Sequence, residues 1–269
     1  MTSPRTSRGG PDLRERDVVV DGRRWHVYEA GDPSAPPVLF VHGYFGSGLF
    51  FRQNMLSIQD RWWAIAPDLP GHCRSDPWPE GEAPVEQWAL LDGLLDVLGA
   101  PPAAVVGHSR GGAVAIQLAA RSPRRVSSLV LVSTSGVPFT VGTLELRGMV
   151  VDPATIPADL LRAMRECSLT ALGYESARRA ALLEGRLERD VTPVLGQVRV
   201  PTLVVWGAQD PTIPMDVGRR VAQGIPGASL RVMEGAGHLP FVERRDEFDA
   251  LLRDFLDGNG PARRAGRPS

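Results

Sequence analysis

The chain has 269 residues, of which 43% are hydrophobic, and its formal net charge is −1. That length can bury a sizeable core, and α/β folds of this size are commonly a single domain. A net charge so close to zero argues against a nucleic-acid-binding protein, which would need a clustered basic face. All 30 basic residues are arginine. Because they are spread along a chain rich in Ala, Gly and Pro, we ascribe them to a GC-rich genome.

Cysteine content and hydropathy favour a cytoplasmic protein. Cys73 and Cys167 are the two cysteines, and their number and wide separation predict neither a disulfide framework nor a cysteine-based zinc site. The N-terminal residues carry positive charge without a following apolar stretch, so no secretory signal is expected. No run approaches the ~18 apolar residues of a membrane span. We therefore expect a soluble cytoplasmic protein that binds neither nucleic acid nor membrane.

Both ends of the chain, residues 1–12 and 258–269, have the composition of disordered tails. Between them, seven short runs are rich in apolar and β-branched residues. Several are continuously apolar over four or five residues, as in strands that are buried on both faces. The predicted strands cover residues 24–30, 37–42, 62–68, 103–108, 125–134, 201–207 and 229–234.

Helical patterns lie between these strands, at residues 85–99, 110–121 and 243–256. Strands that alternate with helices predict an α/β fold, with a mostly parallel central sheet and helices on both faces. The two parts of this core would be residues 13–136 and 193–257. Functional sites in such sheets lie beyond the carboxyl ends of the strands.

Residues 137–192 interrupt the alternation, because they contain no convincing strand. Two amphipathic helical patterns occur there instead. They consist of Leu160, Met164, Cys167 and Ala171, and then of Ala180, Leu183 and Leu187. We interpret the segment as a small helical cap inserted between two sheet strands, and any apolar stripe that it leaves uncovered would line a pocket.

Ser109 lies in the sequence VVGHSRGGAV, where a buried strand gives way to a helix. Gly107 and Gly111 flank it at two residues on either side. A strained turn at this point needs small neighbours, because a Cβ atom at either glycine would collide with adjacent backbone. By itself the pattern also fits an ordinary tight turn, so partners elsewhere in the chain must decide whether Ser109 is a nucleophile.

A serine nucleophile needs a base that takes its proton and a carboxylate that orients the base. Of the five histidines, His238 lies in the Gly-rich loop EGAGHLPF after the last predicted strand. Asp210, in WGAQDPTIP, follows the preceding strand in the same way. Both residues are expected at the edge of the sheet that carries Ser109, which predicts a Ser-His-Asp site.

Backbone N–H donors are also needed to stabilise a developing oxyanion. The Arg110 amide begins the helix after Ser109, where the helix dipole favours negative charge. A second donor is expected from the loop HGYFGSG at residues 42–48, and the Tyr44 amide is the natural candidate.

Residues 17–257 resemble α/β-hydrolase fold proteins, and in particular the small esterases, lactonases and C–C bond hydrolases. The resemblance is carried, in order, by HGYFG, DLPGHCRSD, GHSRGG, WGAQD and GAGH. It implies catalysis without a metal or organic cofactor. Ser109 would be the nucleophile, His238 the general base and then the general acid, and Asp210 its orienting partner. The amides of Tyr44 and Arg110 would form the oxyanion hole.

The serine nucleophile narrows the chemistry, since relatives that dehalogenate alkyl halides or open epoxides have Asp at this position. An ester, lactone or thioester of a mid-sized apolar small molecule is the expected substrate. Candidate pocket residues are Phe45, Met149, Leu160, Leu161 and Met164. Such a small molecule is the expected partner, and the chain is compatible with a monomer or a homodimer.

Two nearby features have alternative interpretations. Asp68, His72, Cys73 and Asp76 could suggest a metal site, but this segment in the family is usually a structural turn, with glycine at the position of Cys73. A turn or core cysteine is therefore expected there. Arg110 would pair with a structural carboxylate or contact an acidic substrate.

Three other functions are open. The same triad serves C–C bond hydrolases and decarboxylating enzymes. A GC-rich source also fits a natural-product tailoring enzyme, such as a cyclase or thioesterase, which a neighbouring biosynthetic gene cluster would indicate. A non-catalytic ligand-binding receptor on this fold would bind its ligand tightly without turnover.

Overall fold

The computed structural model describes residues 13–80, 82, 85–139, 149–183 and 190–259. For residue 168 and for residues 173–183 it describes the backbone alone. Residues 1–12 and 260–269 of the predicted tails therefore lie outside the described residues. The same is true of Leu187 in the predicted cap, and of the side chains of Ala180 and Leu183.

In the described part of the chain, eight strands form one sheet in the order β1-β2-β4-β3-β5-β6-β7-β8. Strand β2 is antiparallel to both of its neighbours, and the other neighbouring strands are parallel. The mostly parallel sheet predicted from the sequence is thus confirmed. The strands are β1 (Arg14–Val20), β2 (Arg23–Ala30), β3 (Pro37–Val41), β4 (Trp63–Pro67), β5 (Ala103–His108), β6 (Val126–Val132), β7 (Thr202–Gly207) and β8 (Ser229–Met233).

Strand burial explains which strands the sequence predicts well. Every residue of β3, β4, β5 and β7 is buried, and these strands have the continuous apolar character expected when helices cover both faces. Strand β1, with the sequence RERDVVV, was not predicted. It lies at the edge of the sheet and is largely exposed, so its charged residues are tolerated there and hide the strand signal.

The helices of the core pack on the two faces of the sheet. Buried side chains of α2, α3 and α6 form one apolar cluster with the strands, and those of α1 and α8 belong to the cluster on the other face. Helix α8 continues through Gly258 and Asn259, two residues that the sequence analysis assigned to the C-terminal tail. The helices are α1 (Arg52–Ile58), α2 (Gln87–Val97), α3 (Arg110–Arg121), α4 (Ala158–Leu183), α5 (Thr192–Leu195), α6 (Met215–Gly224), α7 (Pro240–Glu243) and α8 (Arg245–Asn259).

Helix α4 is the main element described in the predicted cap, and its 26 residues make it the longest helix of those the structure describes. The amphipathic patterns at Leu160 and at Ala180 both begin within this single helix. Leu160, Met164, Cys167 and Ala171 are buried, as their helical spacing predicts. None of the helices described in the chain is long and apolar enough to cross a membrane.

A disulfide joins Cys73, in the turn after β4, to Cys167 on α4. The sequence analysis predicted no disulfide framework and a turn or core cysteine at position 73, and it did not foresee this bond between the two cysteines. Their sequence separation of 94 residues concealed the pairing, because the cap folds back onto the turn. The Cys73 N–H also donates to Thr170 Oγ1 at 2.8 Å, so two bonds connect the turn to α4.

We expect the Cys167→Ser variant to lose about 2–5 kcal/mol of unfolding free energy, because the disulfide restricts a long loop of the unfolded chain. Chemical denaturation of the oxidised wild type and of the variant measures the difference. Wild type in reductant should match the variant. A thiol assay under denaturing conditions should find no reactive thiol in protein purified without reductant. Two reactive thiols would contradict the disulfide.

Candidate active site

The turn between β5 and α3 presents Ser109 to a cavity at the carboxyl ends of the strands. Its backbone has φ 53°, a conformation that residues other than glycine rarely adopt. Three backbone hydrogen bonds hold Ser109 in this conformation. Its N–H donates to Val132 O, and its carbonyl oxygen accepts from the N–H groups of Gly112 and Ser135. The Ser109 hydroxyl makes no capping hydrogen bond to α3. A strained turn between a strand and a helix is compatible with the nucleophile elbow that the sequence predicts.

Three glycines make this turn sterically possible. A Cβ atom at Gly107 would lie 2.6 Å from Gly111 O, and one at Gly111 would lie 2.2 Å from Val41 O. At Gly112 it would lie 2.1 Å from Thr134 Oγ1. The backbone of α3 thus packs directly against the ends of neighbouring strands, as the sequence predicts for Gly107 and Gly111.

His238 and Asp210 form a buried pair beside this turn. His238 Nδ1 lies 2.9 Å from Asp210 Oδ2, and each side chain is 1% exposed. The other carboxylate oxygen of Asp210 accepts from the N–H groups of Thr212 at 2.8 Å and Ile213 at 3.0 Å. Both oxygens of the Asp210 carboxylate are therefore held by hydrogen bonds. An ionised carboxylate can accept hydrogen bonds but cannot donate them. Its contact with Nδ1 therefore favours the tautomer that carries the proton on Nδ1 and leaves Nε2 as the basic atom.

Glu243, on α7, holds the loop that carries His238. Its Oε1 accepts from the N–H groups of Gly237 at 3.0 Å and Leu239 at 3.2 Å, the two residues that flank the histidine. Its Oε2 accepts from Val151 N–H at 2.7 Å, and the His238 N–H donates to Met149 O at 2.7 Å. One carboxylate thus connects the histidine loop with the cap. Sequence analysis did not identify Glu243.

The loop after β3 lies against the serine turn. A Cβ atom at Gly43 would be 2.9 Å from Ser109 Cβ, which leaves no room for a side chain between the loop and the turn. Phe45 has φ 51°, a second strained residue near Ser109. Tyr44 and Arg110 both line the cavity with Ser109, and the Arg110 amide belongs to the first turn of α3. The loop and the helix end are adjacent, as an oxyanion hole requires.

Two further histidines support the loops. His42 Nε2 accepts from the Leu69 N–H at 2.9 Å and its Nδ1 donates to Gly43 O at 2.9 Å. The His108 ring donates through Nε2 to His238 O, also at 2.9 Å. Burial lowers the pKa of both His42 and His108 well below the ordinary value. They are therefore neutral side chains with a structural role.

The segment that could suggest a metal site is a hydrogen-bonded turn. Asp68 accepts from Ser47 Oγ at 2.6 Å, Gly48 N–H at 2.9 Å and Arg74 N–H at 3.1 Å. Burial raises the pKa of Asp68, although these hydrogen bonds act in the opposite direction. Within the described ranges of the chain, no group of three or more His, Cys, Asp and Glu side chains is arranged to hold a metal ion.

The cavity around Ser109 has a volume of about 870 Å³. Phe45, Met149 and Met164 line it together with Ser109 and His238, as the sequence predicts. The predictions for Leu160 and Leu161 are wrong. Leu160 is buried and lines a separate cavity beside α1 and α7, because it lies on the side of α4 that faces those helices. Leu161, the next residue along the helix, is 42% exposed.

The fold and the site define the class of protein. The model of the alpha/beta hydrolase family matches residues 38–251, and the chain belongs to this family of hydrolases.

The proteins that this chain resembles are named for different activities. The dihydrolipoyllysine-residue acetyltransferase component of the acetoin cleaving system of Cupriavidus necator is 33% identical over 263 residues, covering 89% of this chain and 68% of the relative. A 2-hydroxy-6-oxononadienedioate/2-hydroxy-6-oxononatrienedioate hydrolase of Dechloromonas aromatica is 30% identical over 217 residues, covering 71% and 75%. The structure of a meta-cleavage product hydrolase from Pseudomonas fluorescens has a TM-score of 0.78 at 23% identity, covering 91% of this chain and 98% of that one.

Replacing Gly111 by alanine should destabilise the fold by at least ~2 kcal/mol, because the new Cβ would meet strand backbone that cannot move aside. Thermal and chemical unfolding measure the loss. Gly196→Ala is the matched control, since a Cβ there meets nothing within 4 Å and should change stability by less than ~0.5 kcal/mol. Equal effects in the two variants would contradict the close packing at the serine turn.

Glu243→Ala should lower kcat about 10- to 100-fold on an activated ester, because the Gly237 and Leu239 N–H groups on either side of His238 lose their acceptor. Glu243→Gln keeps a carbonyl oxygen for the Gly237 and Leu239 N–H groups, so it should recover kcat to within about threefold. Steady-state kinetics and melting temperatures measure both variants. The control is Glu247→Ala, which removes an exposed acid on the neighbouring helix. A glutamine variant as slow as the alanine variant would contradict the positioning role.

Proposed function

We propose that this protein is a serine hydrolase that cleaves an ester, lactone or thioester of a small molecule. Ser109 is the nucleophile, His238 the general base and Asp210 the residue that orients it. The observation that carries this proposal is the buried contact between His238 Nδ1 and Asp210 Oδ2, in the wall of the cavity that Ser109 also lines. Such a pair leaves Nε2 as the atom that takes a proton from a serine hydroxyl.

The reaction follows from these roles in two stages. Ser109 Oγ attacks the acyl carbonyl carbon while its proton passes to His238 Nε2. The tetrahedral intermediate collapses to an acyl-enzyme, and the proton on His238 leaves with the alcohol or thiol. A water molecule then gives its proton to His238 and attacks the acyl carbon, which releases the acid and restores the Ser109 hydroxyl. Every step uses side chains and backbone of this chain.

Charge on the carbonyl oxygen would be stabilised by the amides of Tyr44 and Arg110. Two features support this assignment. The close approach of Gly43 to Ser109 brings the Tyr44 loop to the reacting atom, and the Arg110 amide lies at the positive end of α3. Loss of one such donor typically costs about 100- to 1000-fold in kcat.

The apolar side chains in the cavity wall favour a mid-sized substrate with an apolar portion. Phe45 contributes from the oxyanion loop, Met149 from the start of the described cap segment and Met164 from α4. Disulfides persist mainly in oxidising environments, so the Cys73–Cys167 bond argues against the cytoplasmic location expected from the sequence.

Hydrolysis of a carbon–carbon bond is a second candidate. It is favoured by the similarity to the Dechloromonas aromatica hydrolase named for 2-hydroxy-6-oxo dioates. Attack of Ser109 on the 6-oxo carbon, followed by loss of the enolic fragment as a carbanion stabilised by its conjugated keto acid, would give the same kind of acyl-enzyme. The proton on His238 would then pass to the carbon of this fragment, whereas in ester hydrolysis it passes to the alcohol.

Incubation with a fluorophosphonate should add one phosphonyl group to the wild type, and intact-mass spectrometry detects it. Ser109→Ala should give no adduct and should hydrolyse short p-nitrophenyl esters at least ~1000-fold more slowly. The control variant is Ser57→Ala, which removes a hydroxyl that donates to Asn54 O on α1, away from the cavity. It should retain both the adduct and the turnover.

The outcomes separate the candidates. An adduct together with ester turnover supports ester, lactone or thioester hydrolysis. An adduct without ester turnover, and with loss of the absorbance of a 2-hydroxy-6-oxo dienoate, would support carbon–carbon bond hydrolysis instead. Absence of any adduct at Ser109 would overturn the serine-hydrolase proposal, and a ligand-binding role on the same fold would then be favoured.

A further inference from the structure

The protein has a second cavity, with a volume of about 510 Å³, between the start of α4, helix α1 and helix α7. Phe50, Leu160 and Phe241 line it with buried apolar side chains. The charged side chains that line it are mostly exposed, among them Arg244 and Glu247. The second cavity thus combines an apolar inner part with a charged opening, and the proposed reaction makes no use of it.

Phe50 belongs to the wall of both cavities. It lines the second cavity, and it also lines the cavity around Ser109, which we call the serine cavity. Among the residues that the structure describes, no other is common to both linings. Phe50 is 8% exposed, so its ring is enclosed at the boundary between the two spaces. A single residue therefore separates the two cavities at this point.

Two neighbouring elements pass from one cavity to the other within a few residues. On α4, Met164 lines the serine cavity and Leu160 lines the second cavity. These residues are four positions apart, which corresponds to ~6 Å along the helix axis. After β8, Leu239 lines the serine cavity, and Phe241 lines the second cavity. Both elements indicate that the wall between the cavities is about one layer of side chains thick.

The backbone that carries Phe50 is held firmly in place. Phe50 belongs to a 3-10 helix at Gly48–Phe51, and its N–H donates to Ser47 O at 3.1 Å. Ser47 Oγ in turn donates to the buried carboxylate of Asp68 at 2.6 Å. A Cβ atom at Gly48 would lie 2.4 Å from the backbone of β4, so this short helix packs directly on the sheet. Phe50 cannot withdraw from the boundary unless these buried contacts break.

Helix α3 forms another wall of the serine cavity, and this wall is rigid. Ala113, Val114 and Gln117 line the cavity from this helix. Its first turn meets strand backbone directly, since a Cβ atom at Gly111 would lie 2.2 Å from Val41 O. The helix therefore has no room to move aside for a longer substrate. At Phe50, in contrast, truncation of one side chain would join the serine cavity to a second apolar space.

We propose that Phe50 determines specificity by closing the serine cavity towards the second cavity, which limits the length of the apolar chain of the substrate. Favoured substrates carry a chain that ends within the serine cavity, and longer chains meet the Phe50 ring. Without this ring, the apolar inner part of the second cavity receives the longer chains. This inference rests on the proposed function in taking Ser109 as the reacting residue, and it adds the size class of the substrate.

Two series of esters test the proposal at concentrations at which every ester is monomeric. The p-nitrophenyl esters of acetic, butyric, hexanoic, octanoic, decanoic and dodecanoic acids vary the acyl chain, and alkyl acetates of matching lengths vary the alcohol. Wild-type kcat/KM should rise by about fourfold for each methylene group that leaves water, and it should fall once the chain reaches Phe50. Phe50→Ala should move the maximum of at least one series to longer chains. On the longer esters of that series, it should raise kcat/KM by about tenfold or more.

A second substitution identifies the space that the longer chain enters. Leu160→Phe, combined with Phe50→Ala, fills the second cavity from α4 and should restore the wild-type chain-length profile. Thr155→Phe fills the same cavity from an exposed position, and it replaces Leu160→Phe if that variant does not fold.

Matched variants separate the loss of the boundary from a general loss of packing. Phe255→Ala removes a partly buried ring of α8 that packs on the same apolar cluster as Phe50 but lines neither cavity. It should leave the chain-length profile unchanged. Melting temperatures establish that each variant is folded. Phe50→Leu is the milder truncation, and it should shift the profile in the same direction by a smaller amount.

Failure of this inference can be distinguished from failure of the proposed function. If the enzyme is labelled at Ser109 and hydrolyses esters, a profile that is unchanged in Phe50→Ala, or that filling the second cavity does not reverse, would overturn the role of Phe50 alone. If no ester is hydrolysed, butyric and dodecanoic acids are titrated in a thermal-shift assay. Stabilisation by dodecanoic acid that is greater in Phe50→Ala than in the wild type, and is lost in the double variant, would still support the inference. Equal stabilisation of the two proteins, or none, would overturn it.

Discussion

The close packing of α3 against the ends of the central strands is the constraint on which the rest of the site depends. Gly107, Gly111 and Gly112 allow backbone to meet backbone at distances that no Cβ atom could occupy. Within this packing Ser109 has a strained conformation, and the loop after β3 lies against the same turn. The parallel sheet then brings the loops after β7 and β8 to the same edge, where Asp210 and His238 meet.

Much of this arrangement could be predicted from the sequence, because parallel strands bring residues that follow different strands to one edge. Ser109 and Asp210 each follow a strand with a strong apolar signal, and His238 follows the edge strand β8. The structure places Ser109 and His238 in the wall of one cavity, with Asp210 in contact with His238. Strand β1 escaped prediction, since an exposed edge strand needs no apolar run.

Other features depend on which face of an element meets which neighbour, and one sequence does not contain that information. Leu160 and Met164 share one amphipathic pattern, but only Met164 lines the cavity around Ser109. The pairing of Cys73 with Cys167 depends on how the cap folds back. Gln117 is equally inconspicuous in sequence, because a glutamine in an alanine-rich helix is typical of a solvent-facing position. Its burial against the cavity is a property of the tertiary structure.

Because Ser109 directly precedes α3 and Gln117 lies further along it, one helix forms a continuous part of the cavity wall between these two positions. The distance between them is set by the helical rise of ~1.5 Å per residue and not by the position of the cap. Insertion of a single residue between Val114 and Gln117 would rotate the glutamine by ~100° away from the cavity while leaving Ser109 in place. Changes in the cap sequence would therefore alter access to the cavity without changing the length of this wall.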